Sequence, residues 1–114
     1  MLRRTLPMLL VAVLLAACGG EGTSCGGGAM ATLSLWHETR AFGAAFMLGH
    51  APPGAPWRLV LVHEGRVDWR GEVTTDAHGT VKVVRRLPEF TGADRVTMRA
   101  TGPDGRTCAA TATL

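Results

Sequence analysis

Residues 57–74, WRLVLVHEGRVDWRGEVT, contain two alternating apolar runs on either side of a Glu-Gly pair. Apolar residues at every second position share one face of a β-strand, and two such runs joined by a short turn predict a β-hairpin. The first run is also apolar on part of its second face, which indicates a central strand of its sheet. The predicted inward positions are Trp57, Leu59 and Leu61 in the first strand and Val67, Trp69, Gly71 and Val73 in the second.

Five further runs with the same period surround this hairpin, and they cover residues 32–38, 42–48, 80–86, 95–101 and 106–114. Proline- and glycine-containing segments separate the runs, because these residues interrupt regular strand pairing. Residues 89–94 are predicted to form a loop or a single helical turn. No window carries a helical stripe longer than two turns, so seven short strands predict an all-β fold, an antiparallel β-sandwich. Two of the strands are expected to turn these residues inward: Phe42, Ala44, Phe46, Leu48, Val96, Met98 and Ala100.

The start of the chain has the features of a bacterial lipoprotein signal peptide. Arg3 and Arg4 precede an apolar stretch of about ten residues, whereas a membrane-spanning helix needs about 20. The sequence Leu15-Ala16-Ala17-Cys18 resembles a lipobox, the motif at which signal peptidase II cuts before a cysteine that receives acyl chains. We therefore expect residues 1–17 to be removed and Cys18 to anchor an exported chain in a membrane.

The residues after Cys18 indicate the location and the domain organisation. Gly19 stands where an Asp would retain a diderm lipoprotein at the inner membrane, so the resemblance implies the outer membrane, or the outer face of the cytoplasmic membrane in a monoderm host. Residues 18–28, CGGEGTSCGGG, have few side chains to bury and predict a flexible, lipid-anchored tether. Residues 29–114 are then the β-sandwich domain.

Charge and cysteine content limit the function further. Residues 18–114 carry ten basic and nine acidic residues, a net charge of +1, and the nearest approach to a basic cluster, Lys82, Arg85 and Arg86, alternates between strand faces. Nucleic acid is therefore not an expected partner. If Cys18 is acylated, Cys25 and Cys108 remain, and an oxidising compartment favours a disulfide between them, with two free thiols as the alternative.

The turns give a resemblance to a known group of domains. They resemble the immunoglobulin-like extracytoplasmic domain of some membrane-bound anti-sigma factors and related small lipoproteins, over about two-thirds of residues 18–114. This implies an immunoglobulin-like β-sandwich. The sequence shows no sigma-binding segment, no spanning helix, no Cys–Trp–Cys spacing and no tyrosine, so the resemblance transfers neither activity nor site residues. The matching segments are LGHAPPG (48–54), WRLVLV (57–62), Glu64-Gly65, RGE (70–72), DAHGT (76–80), Arg95-Val96 and Asp104-Gly105.

Residues that could carry chemistry do not form a recognisable motif. Copper or zinc handling would use the histidines and methionines, but no two histidines have ligand spacing, and Met47 and Met98 fall where core packing explains them. No G-x-S-x-G elbow is present, and the carboxylates at 64, 68, 72 and 76 fall around turns and strand surfaces. We therefore expect no enzyme activity and no cofactor. The metal candidates are His37, His50, His63, His78, Met30, Met47 and Met98.

The tryptophans are the remaining candidates for a binding surface. Trp57 and Trp69 are expected to share a face, whereas Trp36 has the opposite strand parity to Leu33 and Leu35 and should point outward. An exposed tryptophan is a plausible anchor for a partner, unless the tether covers it. The sequence thus predicts a non-enzymatic, lipid-anchored envelope domain that binds a protein or cell-wall partner. A metal-handling lipoprotein and a purely structural envelope lipoprotein are the alternatives.

Overall fold

The computed structural model describes residues 20–89 and 94–114, and the described residues form an all-β sandwich of two four-stranded antiparallel sheets. Sheet A has the strand order β1-β2-β3-β6, and sheet B has the order β5-β4-β7-β8. The strands are β1 (Gly20–Gly26), β2 (Ala29–Glu38), β3 (Ala41–Gly49), β4 (Pro56–His63), β5 (Arg66–Thr74), β6 (Val81–Pro88), β7 (Arg95–Thr101) and β8 (Thr107–Thr113).

The predicted sandwich is confirmed, and all seven predicted strands are present as β2 to β8. The β4 strand pairs with β5 on one side and with β7 on the other, so its predicted central position is also confirmed. Of the predicted loop at residues 89–94, residues 90–93 lie outside the described part of the chain. The expectation for residues 1–17 and for Cys18 lies outside it as well.

The predicted tether is wrong for most of its length. Residues 20–26 form an eighth strand, β1, which pairs with β2 from Gly20 opposite Ser34 to Gly26 opposite Ala29. Backbone hydrogen bonds need no side-chain surface, so a glycine-rich segment can complete a sheet edge that the neighbouring strand offers. The glycines that follow have positive φ (59° at Gly27 and 87° at Gly28) and turn the chain into β2. The folded domain therefore includes the chain from Gly20, rather than from residue 29.

The core lies between the two sheets and follows the alternation of the sequence. The expected inward positions of β3 and β7 are buried, as is Trp57 in β4. The largest fully buried side chains come from both sheets, which gives the sandwich one continuous apolar core. They are Phe42, Phe46, Leu33, Leu48, Leu59, Leu61, Leu87, Met98 and Val96.

Two residues expected in the core are exposed instead. Met47 lies between the buried Phe46 and Leu48, so its strand parity places it outside, and it is 46% exposed. Val67 is 49% exposed because the register shifts between Leu61 and Val62. Leu61 pairs with Trp69, but the next residue, Val62, pairs with Val67. Val62 points outward, and Val67 therefore points outward as well.

One end of the sandwich, which we name the loop end, contains residues 26–28, 49–56, 75–80 and 102–106. Here the β3–β4 and β5–β6 connections bind each other. The Ala51 amide donates to the Gly79 carbonyl at 3.2 Å, and the buried Thr75 hydroxyl donates to the Pro52 carbonyl at 2.6 Å. Gly79 has φ 74°, and a Cβ there would lie 1.8 Å from the Ala51 carbonyl oxygen, so only glycine fits.

The predicted disulfide between Cys25 and Cys108 is present near this end and joins β1 to β8 across the two sheets. The Cα atoms of the two cysteines are 5.1 Å apart, and 83 residues separate them in sequence. By restricting the unfolded chain, a loop of this length contributes about 4 to 5 kcal/mol to stability. The glycine-rich β1 strand is thus covalently attached to the opposite sheet.

The other end of the sandwich, the terminal end, contains Gly20, Leu114 and the turns at 39–40 and 64–65. A hydrogen bond of 2.8 Å joins His63 Nε2 to Asp94 Oδ1, and the two side chains are only 2% and 3% exposed. The ring of Phe42 packs edge-on against His63 with centroids 5.0 Å apart. Backbone bonds between Asp94 and Leu114 continue the β7–β8 pairing to this end. No helix among residues 20–89 and 94–114 is long and apolar enough to cross a membrane.

Candidate interaction surfaces

The outward side of sheet A, which we name face A, presents four of the five exposed large apolar side chains of the described residues. The strand register arranges them in rows. Trp36 lies opposite Gly43, Met47 lies opposite Thr32, and Val84 lies opposite Ala45. Met30 completes the set at the loop end of β2, so the exposed apolar surface extends along the sheet. The four residues and their exposures are Met30 44%, Trp36 38%, Met47 46% and Val84 54%.

Trp36 is outward, as predicted, and its ring is held against the sheet. The indole lies over Gly43, where a Cβ would come within 2.1 Å of Trp36 Cε2. The Trp36 Nε1–H donates to Glu38 Oε2 at 2.9 Å, and Arg86 Nε lies 3.2 Å from the other oxygen of the same carboxylate. The described part of the predicted tether pairs along the edge of β2 and leaves the ring exposed.

The charges on face A are mainly basic. Lys82 and Arg86 share the outward side of β6 with Val84. Glu38 is the acidic residue at the end of β2, and Trp36 and Arg86 already occupy its oxygens. Face A is therefore an apolar surface flanked by two cations, with its nearby carboxylate already paired.

The outward side of sheet B, face B, has a different composition. Arg70 and Arg99 lie on either side of Val60 in one row, and Arg58 lies in the next row between Glu72 and Thr101. Among the described residues, no carboxylate forms an ion pair with any of these three arginines. A shallow depression lies beside Arg58 and Arg70, and Arg99 is not part of its lining, which consists of Arg58, Leu59, Val60, Arg70, Gly71, Glu72 and Thr101.

Two pairs of threonines lie on the β7–β8 half of face B, on either side of Arg99 and Ala109. The hydroxyls of Thr97 and Thr111 are 2.9 Å apart, and those of Thr101 and Thr107 are also 2.9 Å apart. Each pair bridges neighbouring strands, which makes this half of the face a polar surface with fixed hydroxyl positions.

The other two tryptophans share the inward side of the β4–β5 hairpin, as predicted. Trp57 lies opposite Val73, and Trp69 lies opposite Leu61. Trp57 is buried against Gly102, and Trp69 is half-buried beneath Arg85, whose guanidinium lies 5.5 Å from the ring centroid. Arg85 therefore connects the edges of the two sheets on the side away from the disulfide.

The four candidate histidines are not brought together. His37 is exposed at the terminal end, His50 and His78 are exposed at the loop end, and His63 is in the core. Within the described ranges, no three His, Cys, Asp or Glu residues are placed to hold a metal ion. Of the candidate methionines, Met98 is buried in the core, whereas Met30 and Met47 are exposed on face A.

Asp94 is the residue that sequence analysis missed. It ends the segment predicted as a loop, yet its carboxylate is buried and bonded to His63, 31 residues away. The one signal in the sequence was His63 itself, a polar residue directly after an apolar run. The two side chains are only 2% and 3% exposed.

Comparison of the chain with protein-family models and with curated proteins finds no match. The resemblance to anti-sigma factor domains therefore stays an expectation from the turn residues.

Proposed function

We propose that this protein is a lipid-anchored, non-enzymatic β-sandwich of the bacterial envelope that binds an anionic cell-wall polymer through face B. The observation that supports this function best is the group of three arginines on face B, of which Arg58 and Arg70 line the depression, since no described carboxylate forms a salt bridge with them. The location follows from the lipobox-like Leu15–Cys18 and the lipid it would place on Cys18.

The spacing of the arginines suits a chain of repeated anionic groups. Neighbouring strands are about 4.8 Å apart, so the Cα atoms of Arg70 and Arg99, on either side of Val60, are about 10 Å apart. Each planar guanidinium can bind a phosphate or carboxylate with two parallel hydrogen bonds. The paired threonine hydroxyls beside them can bond to the sugar or polyol part of such a polymer.

The non-enzymatic part of the proposal is supported by where the potential catalytic groups lie. The His63 and Asp94 side chains are almost fully buried, and Asp68, Glu72 and Asp76 are spread over exposed strand and turn positions. Face B is a rigid sheet surface, which favours binding with little loss of conformational entropy.

The test measures binding of the purified protein to poly(glycerol phosphate), to a carboxylated polysaccharide and to neutral dextran at low and at physiological salt. Neutralising all three arginines (Arg58→Gln, Arg70→Gln, Arg99→Gln) should weaken binding to the anionic polymers about tenfold, since each exposed ion pair is worth about 0.2 to 1 kcal/mol. The combination Arg40→Gln, Lys82→Gln and Arg86→Gln removes three positive charges away from face B, so it is the matched control and should bind more tightly than the face B variant.

Comparison of the two anionic polymers distinguishes phosphate from carboxylate as the ligand chemistry. Equal binding to dextran, or unchanged binding by the triple variant, would contradict the proposal. If neither polymer binds and a photocrosslinker at Val60 recovers one acidic protein, face B has a protein partner instead.

A further inference from the structure

We infer that face A lies on the surface of the membrane that holds the lipid anchor, with Trp36, Met47, Met30 and Val84 in the headgroup region. This inference rests on the proposed acylation of Cys18. It assigns a lipid surface, rather than a protein, as the occupant of face A. Three independent features of the described residues support it.

The first feature is the short distance between the anchor and sheet A. Gly20 begins β1, which is an edge strand of sheet A, and a single residue separates it from Cys18. Two extended residues span about 7 Å at most. Because residues 20–26 belong to the sheet, the domain lacks the free eleven-residue spacer that the sequence suggested, and sheet A has to lie close to the bilayer.

The second feature is the position of Trp36 relative to that anchor. Gly20 pairs with Ser34, and Trp36 follows two residues later on β2, towards the terminal end. The chain leaves β1 towards the same end. Trp36 therefore lies on the strand next to β1, towards the end of sheet A at which β1 begins, and the exposed indole is the large apolar group closest to that start of β1. Tryptophan is enriched at membrane–water interfaces because its ring is amphipathic.

The third feature is the combination of side chains on face A. Surfaces that lie on membranes combine apolar side chains, which enter the headgroup region, with lysine and arginine, which attract anionic lipids. Face A has four exposed apolar residues with Lys82 and the Glu38–Arg86 ion pair beside them, so that Lys82 provides the excess positive charge of this set. The small residues between them let the large ones reach the bilayer together. They are Gly43, Ala45 and Gly49 on β3 and Gly22 on β1.

Face B differs in each of these respects. Its exposed side chains are mainly arginine and threonine, and it is on the opposite side of the sandwich from the strand that leads to Cys18. With face A on the lipid, face B is turned away from the membrane. That orientation presents the proposed binding surface to the cell wall.

The experiment is fluorescence quenching of the lipidated full-chain product in vesicles made from anionic phospholipid, with and without bromine on the acyl chains. Trp36 should be quenched by the brominated lipid, so Trp36→Phe should remove most of the bromine-dependent loss of fluorescence. Trp57 and Trp69 face the interior of the sandwich and should contribute little. Trp69→Phe is the matched control and should leave the bromine-dependent loss in place.

A tryptophan on the opposite face provides the second control. In the variant Trp36→Phe with Val60→Trp, the new indole lies on face B and should be protected from the brominated lipid. Quenching of this indole, or the absence of quenching at Trp36 in the unmodified protein, would overturn the inference.

The same sample distinguishes failure of the inference from failure of the anchor. The mass of the N-terminal peptide shows whether Cys18 carries acyl chains, and polymer binding tests face B separately. Lipidated protein with an unquenched Trp36 contradicts the orientation alone. An unmodified Cys18 contradicts the anchor and, with it, the inference.

Replacing both cations on face A provides a measurement of charge. Lys82→Gln with Arg86→Gln should weaken the association of unlipidated protein with anionic vesicles about fivefold or more. Each basic residue near an anionic surface strengthens binding by up to about fivefold at low salt. Arg66→Gln with Arg95→Gln, two exposed cations on the strands of sheet B, is the control, and equal association of the two double variants would count against a lipid-facing role.

Discussion

The two ends of the sandwich are stabilised by different kinds of interaction. At the loop end, backbone groups of two connections bond to each other around Gly79, and the Cys25–Cys108 disulfide lies nearby. At the terminal end, a buried side-chain pair, His63 and Asp94, is present beside the backbone bonds between Asp94 and Leu114. The difference shows that the contact at the loop end requires a glycine at position 79, whereas a buried polar pair requires only two residues whose meeting depends on the complete fold.

The largest effect is expected at the terminal end. Asp94→Ala removes the carboxylate that His63 bonds at 2.8 Å in a site about 2% exposed. Removing one member of a buried polar pair costs about 3 to 5 kcal/mol when the pair is charged. We expect a loss near the lower limit, about 3 kcal/mol, in the free energy of unfolding measured with urea.

A double-mutant cycle tests whether this loss belongs to the pair. If His63→Phe is combined with Asp94→Ala, the combined loss should be smaller than the sum of the single losses by about 1 kcal/mol or more. Asp68→Ala, an exposed carboxylate on β5, should change stability by about 0.5 kcal/mol or less. Equal effects of Asp94→Ala and Asp68→Ala would show that the terminal end does not depend on its buried pair.

The second effect concerns the backbone contact at the loop end. Gly79 and Gly105 both have positive φ, 74° and 84°, but a Cβ at Gly79 would meet the Ala51 carbonyl, whereas at Gly105 it would meet nothing within 4 Å. Gly105→Ala should therefore lower the free energy of unfolding only by the cost of holding alanine in the left-handed conformation, about 1 to 2 kcal/mol. Gly79→Ala should lose about 1 to 2 kcal/mol more, because the two connections have to move apart.

Urea unfolding of both alanine variants measures this difference directly. Similar losses in the two would mean that the loop end adapts to a larger residue and that its close contact contributes little. The comparison between the ends would then rest on the disulfide alone.

Much of the fold could be predicted because alternation and turn residues are local signals. Strands β2 to β8 and the central position of β4 all follow from period-two runs between proline and glycine. The β1 strand could not be predicted this way. Three of its seven residues are glycine and the others show no apolar alternation, and the strand forms because β2 offers it an unpaired edge. Val67 was placed wrongly because a bulge changes strand parity without changing the sequence pattern.

The candidate surfaces were less accessible to prediction. Strand parity was enough to place Trp36 outside, but face A also depends on which strands are neighbours, because Val84 and Lys82 are distant from Trp36 in sequence. The three arginines of face B come together for the same reason. Asp94 could not be paired with His63 because nothing in either local sequence specifies the other residue.

The smallest effect is the response of the loop end to acid. At the loop end, the Asp76 carboxylate accepts hydrogen bonds from the Thr80 hydroxyl and from the Thr80 and His78 amides, and the Thr80 hydroxyl is the main reason that the pKa of Asp76 lies below its usual 3.8. A carboxyl whose pKa is lower in the folded state stabilises the fold above its unfolded pKa, and this contribution disappears as the pH falls through the folded value. Urea unfolding is measured at steps of about 0.5 pH unit from about pH 5 to about pH 2. Below about pH 4, the unmodified protein should lose stability relative to Asp76→Asn. A constant difference between the two proteins over this range would mean that the turn at the loop end binds neutral and ionised carboxyls equally well.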